Sequence, residues 1–176
     1  MENSKATLLN DSTNLFLTDG GLETTLIFLE EFDLPYFAAF DLLKEQKGYN
    51  ALLNYYKRYL KIAKDFKTGF ILESPTWRAN PDWIEKVGYP QSAISEINKN
   101  AVQLLTNLKT EFSNDIDKIL ISGCIGPRGD GYVPENKMNA DEAQKYHSQQ
   151  IEVFSRTPVD IISAITMNYT EEAIGI

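Results

Sequence analysis

The 176-residue sequence predicts an α/β domain built on a parallel sheet. Three observations carry that expectation. Short apolar runs, rich in β-branched or aromatic residues, are bounded by Gly, Ser or Pro as buried strands are. Longer segments between them repeat their apolar residues at steps of three and four, the period of an amphipathic helix. No two-residue hairpin turn joins successive strands, so the alternation implies right-handed βαβ units.

In chain order, residues 15–17 form a first strand ahead of Thr18-Asp19-Gly20-Gly21. Residues 49–66 follow as a helix, with Leu52, Tyr56, Tyr59, Leu60 and Ala63 on one face. The run 70–72 reads as a second strand. The stretch 92–112 is the clearest helix, because Ile94, Ile97, Ala101, Leu104, Leu105, Leu108 and Phe112 line a single stripe. Residues 119–121 give the third strand. Asn139 with Glu142 three positions on nearly matches a capping box and starts a helix over 139–154. Residues 159–162, after Pro158, form the fourth strand. Periodicity alone leaves a doubly wound sheet and a barrel segment equally open.

Composition narrows the function classes. With 43% hydrophobic and 24% charged residues the chain can build a core. The start, 1–14, is a polar tail without the basic and apolar regions of an export signal, and residues 15–176 read as one unit. No apolar run approaches the ~18 residues of a membrane span. The single cysteine, Cys124, excludes an internal disulfide and suits a reducing compartment, so cytoplasm is the expected location. A net charge of -8, from 17 basic and 25 acidic residues, argues against nucleic acid as a partner.

The strand ends hold the informative residues. After the first strand, Gly20 and Gly21 allow a sharp turn with open amides, and Asp19 or Glu23 could meet a substrate ammonium. After the second, Glu73-Ser74-Pro75-Thr76-Trp77-Arg78-Ala79-Asn80-Pro81-Asp82-Trp83 sets two indoles and a guanidinium beside a buried strand, which suits either a pocket wall or packing. The third strand ends in a Gly-rich segment, 122–132, that reads as a flexible active-site loop. It lacks the lysine of a phosphate loop, and it lies too late in the chain for a dinucleotide fingerprint. Cys124 and the only histidine, His147, have no ligand cluster around them in sequence and read as structural.

Taken in order, Asp19-Gly20-Gly21-Leu22-Glu23-Thr24, the Glu73 to Asn80 segment and Gly123-Cys124-Ile125-Gly126-Pro127-Arg128-Gly129-Asp130-Gly131-Tyr132 resemble the homocysteine S-methyltransferase family. Tyr146-His147, Gln150 and the segment 166–173 add to the likeness, which runs from about Leu15 to the last residue.

The resemblance implies a parallel (β/α)8 TIM barrel, of which only about the first four βα units are present, with the active site at the C-terminal strand ends. It also implies zinc-dependent methyl transfer to the thiol of homocysteine, or of a related thiol amino acid, giving methionine. In the family three cysteines hold the zinc, which keeps the thiol deprotonated at neutral pH. Those cysteines lie in the sixth and eighth strand regions, so zinc is expected for the full-length family domain and none is expected to be held by this chain. By resemblance, Asp19, Gly20 and Gly21 would hold the amino-acid end of the substrate, Glu23 would adjoin them, and Trp77 and Arg78 would line the pocket near the sulfur and the donor. No residue is assigned a catalytic role. Ile165 falls where several members carry a substrate-gripping glutamate. The expected partners are a small thiol amino acid and a methyl donor. The chain is expected to be inactive alone. The alternative is a non-catalytic half-barrel that pairs with itself or with a separate C-terminal half.

Overall fold

A computed structural model of the chain describes residues 15–134 and 136–176; the polar tail 1–14 lies outside the described residues. Four strands, β1 (Phe16–Thr18), β2 (Gly69–Glu73), β3 (Ile119–Ile125) and β4 (Ile161–Ala164), form one sheet in the order β1-β2-β3-β4. Every neighbouring pair is parallel. A strictly sequential order turns every crossover the same way, as in a barrel wall.

Helices fill the crossovers. After β1 come α1 (Leu22–Phe28) and α2 (Gln46–Phe66); after β2, α3 (Pro81–Val87) and α4 (Ile94–Glu111); after β3, α5 (Ala140–Phe154); after β4, α6 (Thr170–Gly175). Successive strand residues point to opposite faces. One face sends Phe70, Leu72, Ile119, Ile121 and Ile125 into the core with Leu52, Tyr55, Tyr56 and Leu60 of α2 and Leu104, Leu105 and Leu108 of α4. The other face holds the register partners Glu73 and Ser122, and Cys124 and Ser163. Polar strand residues thus gather on the side away from the helices.

Several elements differ from the sequence expectation for identifiable reasons. Strand β3 runs on to Ile125 through Ser122-Gly123-Cys124, all of it buried. Gly123 is needed there because a Cβ would lie 2.8 Å from the Phe154 ring. Strand β4 starts two residues late, since the Asp160 carboxylate bonds the Ile121 amide and Lys109 Nζ at 2.9 Å each instead of continuing the apolar run. The short helices α1 and α3 carry too few turns to show a period. Their signals are local: Gly21 in the left-handed region at φ 68° opens α1, and the Asn80 side chain accepts from the Trp83 amide to cap α3 ahead of Pro81. The capping box of α5 is complete, with Asn139 and Glu142 each bonding the other's backbone amide at 2.9 Å.

Candidate functional site

A cavity of about 470 Å3 opens at the C-terminal ends of the strands. Asp19, Gly20, Gly21 and Glu23, from the end of β1 and the start of α1, line it together with Trp77 and Arg78, which follow β2. All six residues singled out in sequence therefore border one space. Cys124, Asp130 and Tyr132 from the third strand end, and Ile165 and Thr166 from the fourth, complete the wall.

The turn at β1 is held from below by α2. Tyr55 Oη donates to Asp19 Oδ2 and to the Gly20 carbonyl at 2.9 Å each, and Tyr59 Oη donates to the same carbonyl at 2.8 Å. A Cβ on Gly20 or Gly21 would meet nothing within 4 Å, so the turn faces open space. The helical spacing takes Tyr59 only as an apolar helix position and does not single out Tyr55; the hydroxyl ends of both carry the contact with the site. Their one-turn spacing on the face that packs below β1 is the signal that could have found them.

Glu73 ends β2. Its Oε1 accepts from Ser163 Oγ at 2.9 Å, and Ser163 Oγ lies 2.7 Å from Ser122 Oγ, so polar side chains of β2, β3 and β4 meet across the strand ends. Burial pushes the Asp19 carboxyl up to about 6, against the Tyr55 hydrogen bond that lowers it, and the nearby Glu73 charge adds to the rise. Burial likewise raises the Glu23 and Glu73 carboxyls. The Cys124 thiol is pushed well above its usual range, by burial first and then by Glu73, Glu23 and Asp19. A thiol so disposed is a poor nucleophile and a poor metal ligand.

Arg78 lines the same cavity. Its guanidinium carbon lies 3.8 Å from the centroids of both Trp77 and Trp83, and Nη1 donates to the Gly129 carbonyl at 2.9 Å. Trp77 is fixed by its indole N–H donating to Thr166 Oγ1 at 2.9 Å. The Gly-rich loop, expected to be flexible, is bonded along its length. Asn80 Nδ2 donates to the Pro127 carbonyl, the Arg128 amide to Glu172 Oε1, and Asn168 Nδ2 to the Asp130 carbonyl. Glu172 is itself bonded to His147 Nε2 at 3.0 Å, with both side chains fully buried. The lone histidine thus supports the loop.

Among the described residues no three His, Cys, Asp or Glu side chains gather as a metal site requires. With Cys124 the only thiol in the chain, these residues do not fit the three-cysteine zinc set of the family resemblance.

A sequential parallel βα wall with its pocket at the C-terminal strand ends defines part of a barrel-type α/β protein. The homocysteine S-methyltransferase family model matches residues 16–176, and the chain belongs to that family. No curated protein matches the sequence significantly. The metallated form of the Escherichia coli homocysteine methyltransferase MmuM superposes with a TM-score of 0.71 at 15% identity, covering 94% of this chain and 58% of that one. Its oxidised form gives 0.74 at 14% identity, covering 97% and 59%. The chain therefore spans less than two thirds of the length of those structures.

Proposed function

We propose that the cavity at the strand ends binds a thiol amino acid, homocysteine or a relative, and that the chain contributes this wall to an enzyme moving a methyl group onto the thiol to give methionine. The observation that supports the reading is the convergence of Asp19, Gly20, Gly21, Glu23, Trp77 and Arg78 on one cavity of about 470 Å3. Desolvated carboxyls on one wall suit the ammonium of an amino acid, and the open Gly20-Gly21 turn leaves room for the backbone to approach it. The indole of Trp77 gives the apolar surface that a methylene and sulfur chain requires. Zinc, in this reading, belongs to ligands outside the described residues. When bound it would supply a deprotonated thiol. The residues of this chain bind and orient.

A cytoplasmic setting is part of the same proposal. Cys124 is a free, buried thiol, and among the described residues no helix is long and apolar enough to cross a membrane.

Calorimetric titration with L-homocysteine under reducing conditions tests the reading. Saturable binding is expected, weakened about tenfold or more by Asp19→Asn, since a charge-assisted hydrogen bond contributes about 1.5–3 kcal/mol. No saturable heat, or equal affinity for the wild type and Asp19→Asn, would contradict it.

A further inference from the structure

A carboxylate taken wholly out of water is costly unless it is bonded, so where one is kept its bonds show what it holds. Glu172 of α6 is such a group, and its partner is His147 of α5: both side chains are 0% exposed, and neither borders the cavity. Burial alone would raise the Glu172 carboxyl, but the hydrogen bonds from His147 and from the Arg128 amide hold it below its usual range, so at neutral pH it is a carboxylate. Its Oε1 takes both bonds, with His147 Nε2 at 3.0 Å and the Arg128 amide at 2.8 Å. Because a carboxylate only accepts, Nε2 carries the proton. One oxygen therefore joins α5, α6 and the loop after β3. The Arg128 side chain also pairs with Asp82 at 2.8 Å, but both partners are partly exposed and such a pair contributes little. The buried bond is the firmer hold on Arg128. Gly129, next in the chain, gives its carbonyl to Arg78 Nη1 at 2.9 Å. Asp130 and Tyr132 line the cavity, and Asp130 Oδ1 accepts from the Tyr132 and Val133 amides at 2.8 and 3.1 Å.

We propose that His147 and Glu172 are positioning residues of the cavity: His147 fixes the Glu172 carboxylate, the carboxylate fixes the Arg128 amide, and the loop from Arg128 to Tyr132 takes its place on the cavity wall from that point. The pair touches no ligand. Its effect passes through Gly129, Asp130 and Tyr132, so it holds whichever ligand the cavity takes. From the same helix, Tyr146 Oη donates to Asn80 Oδ1 at 2.7 Å and Gln150 Nε2 donates to the Thr76 carbonyl at 3.1 Å. Helix α5 thus holds the loops after both β2 and β3. A loop held before the ligand arrives spares binding the entropy of ordering it.

Native-state hydrogen exchange on the whole chain tests this without any ligand. In the wild type the Arg128 amide should exchange at least about tenfold more slowly than in an unstructured peptide. Glu172→Leu removes the acceptor, so exchange across 126–133 should rise about tenfold or more while that of α2 changes far less. Tryptophan emission should shift with it, because a Cβ at Gly131 would lie 3.3 Å from the Trp77 indole. Glu172→Gln keeps an oxygen for the Arg128 amide and for His147 Nε2, and should return both readouts toward the wild type. His147→Phe keeps a ring and removes the donor, and should raise the loop exchange several-fold. Loop exchange that rises only in step with α2 in Glu172→Leu would mean that the pair serves stability alone. Equal damage from Glu172→Leu and Glu172→Gln would mean that the oxygen at Arg128 is not what holds the loop. Either result overturns the proposal. The wild-type measurement survives a failure of Glu172→Leu to fold: an Arg128 amide exchanging at the unstructured rate overturns it as well.

Discussion

Asp19 is where charge, burial and function meet. It accepts a hydrogen bond from Tyr55, borders the cavity, and has a carboxyl raised from 3.8 to about 6 by burial. A carboxyl whose folded pKa exceeds its unfolded one binds its proton more tightly in the fold. Its contribution to stability is therefore fully present below pH 3.8 and lost as pH rises through about 6. Asp19→Asn keeps an oxygen for the Tyr55 hydroxyl and removes the titration. Thermal unfolding should show the variant gaining on the wild type between pH 4 and pH 7; an unchanged difference across that range would count against a raised Asp19. The sequence shows the residues that border the cavity because they stand at strand ends beside Gly and Pro. It hides the residues that hold them there. Tyr55 and Tyr59 reach Gly20 across 35 or more positions, and the Glu73, Ser122 and Ser163 contacts need the register of three strands.

Among the elements, those with long periods are legible and those defined by one or two side chains are not. Helices α2, α4 and α5 announce themselves by spacing, whereas α1 and α3 rest on single caps and β3 hides its last four residues behind Ser122, Gly123 and Cys124. The complete capping box makes α5 a quantitative case: Asn139→Ala should cost about 1 kcal/mol in urea unfolding, and a loss near zero would mean the box is not formed in solution. The loop after β3 gives a second. A Cβ at Gly126 would lie 2.2 Å from the Trp77 carbonyl, backbone that cannot yield cheaply. Gly126→Ala should therefore displace the Trp77 segment, red-shifting tryptophan emission and weakening L-methionine binding more than it lowers the unfolding temperature. Unaltered emission would mean that the loop and the Trp77 segment are not in contact.

For the whole molecule, sequential parallel order puts the ends of all four strands on one rim, which is why motifs far apart in sequence share a cavity. At the opposite rim lies a second cavity of about 500 Å3, lined by Leu15, Phe16, Lys67, Thr68, Gly69 and residues 115–118. It is as large but holds none of the strand-end motif residues, so the two cavities offer a direct choice. Among the described residues, β1 and β4 each pair on one side only. Edges of that kind can accept further strands. A crystal structure of the protein with L-homocysteine decides between the two cavities. The ligand is expected at the C-terminal rim, its amino group within hydrogen-bond distance of Asp19 and its thioalkyl chain against Trp77. Homocysteine bound in the cavity of Lys67 and Asp115, or a C-terminal rim left empty at saturating ligand, would contradict it.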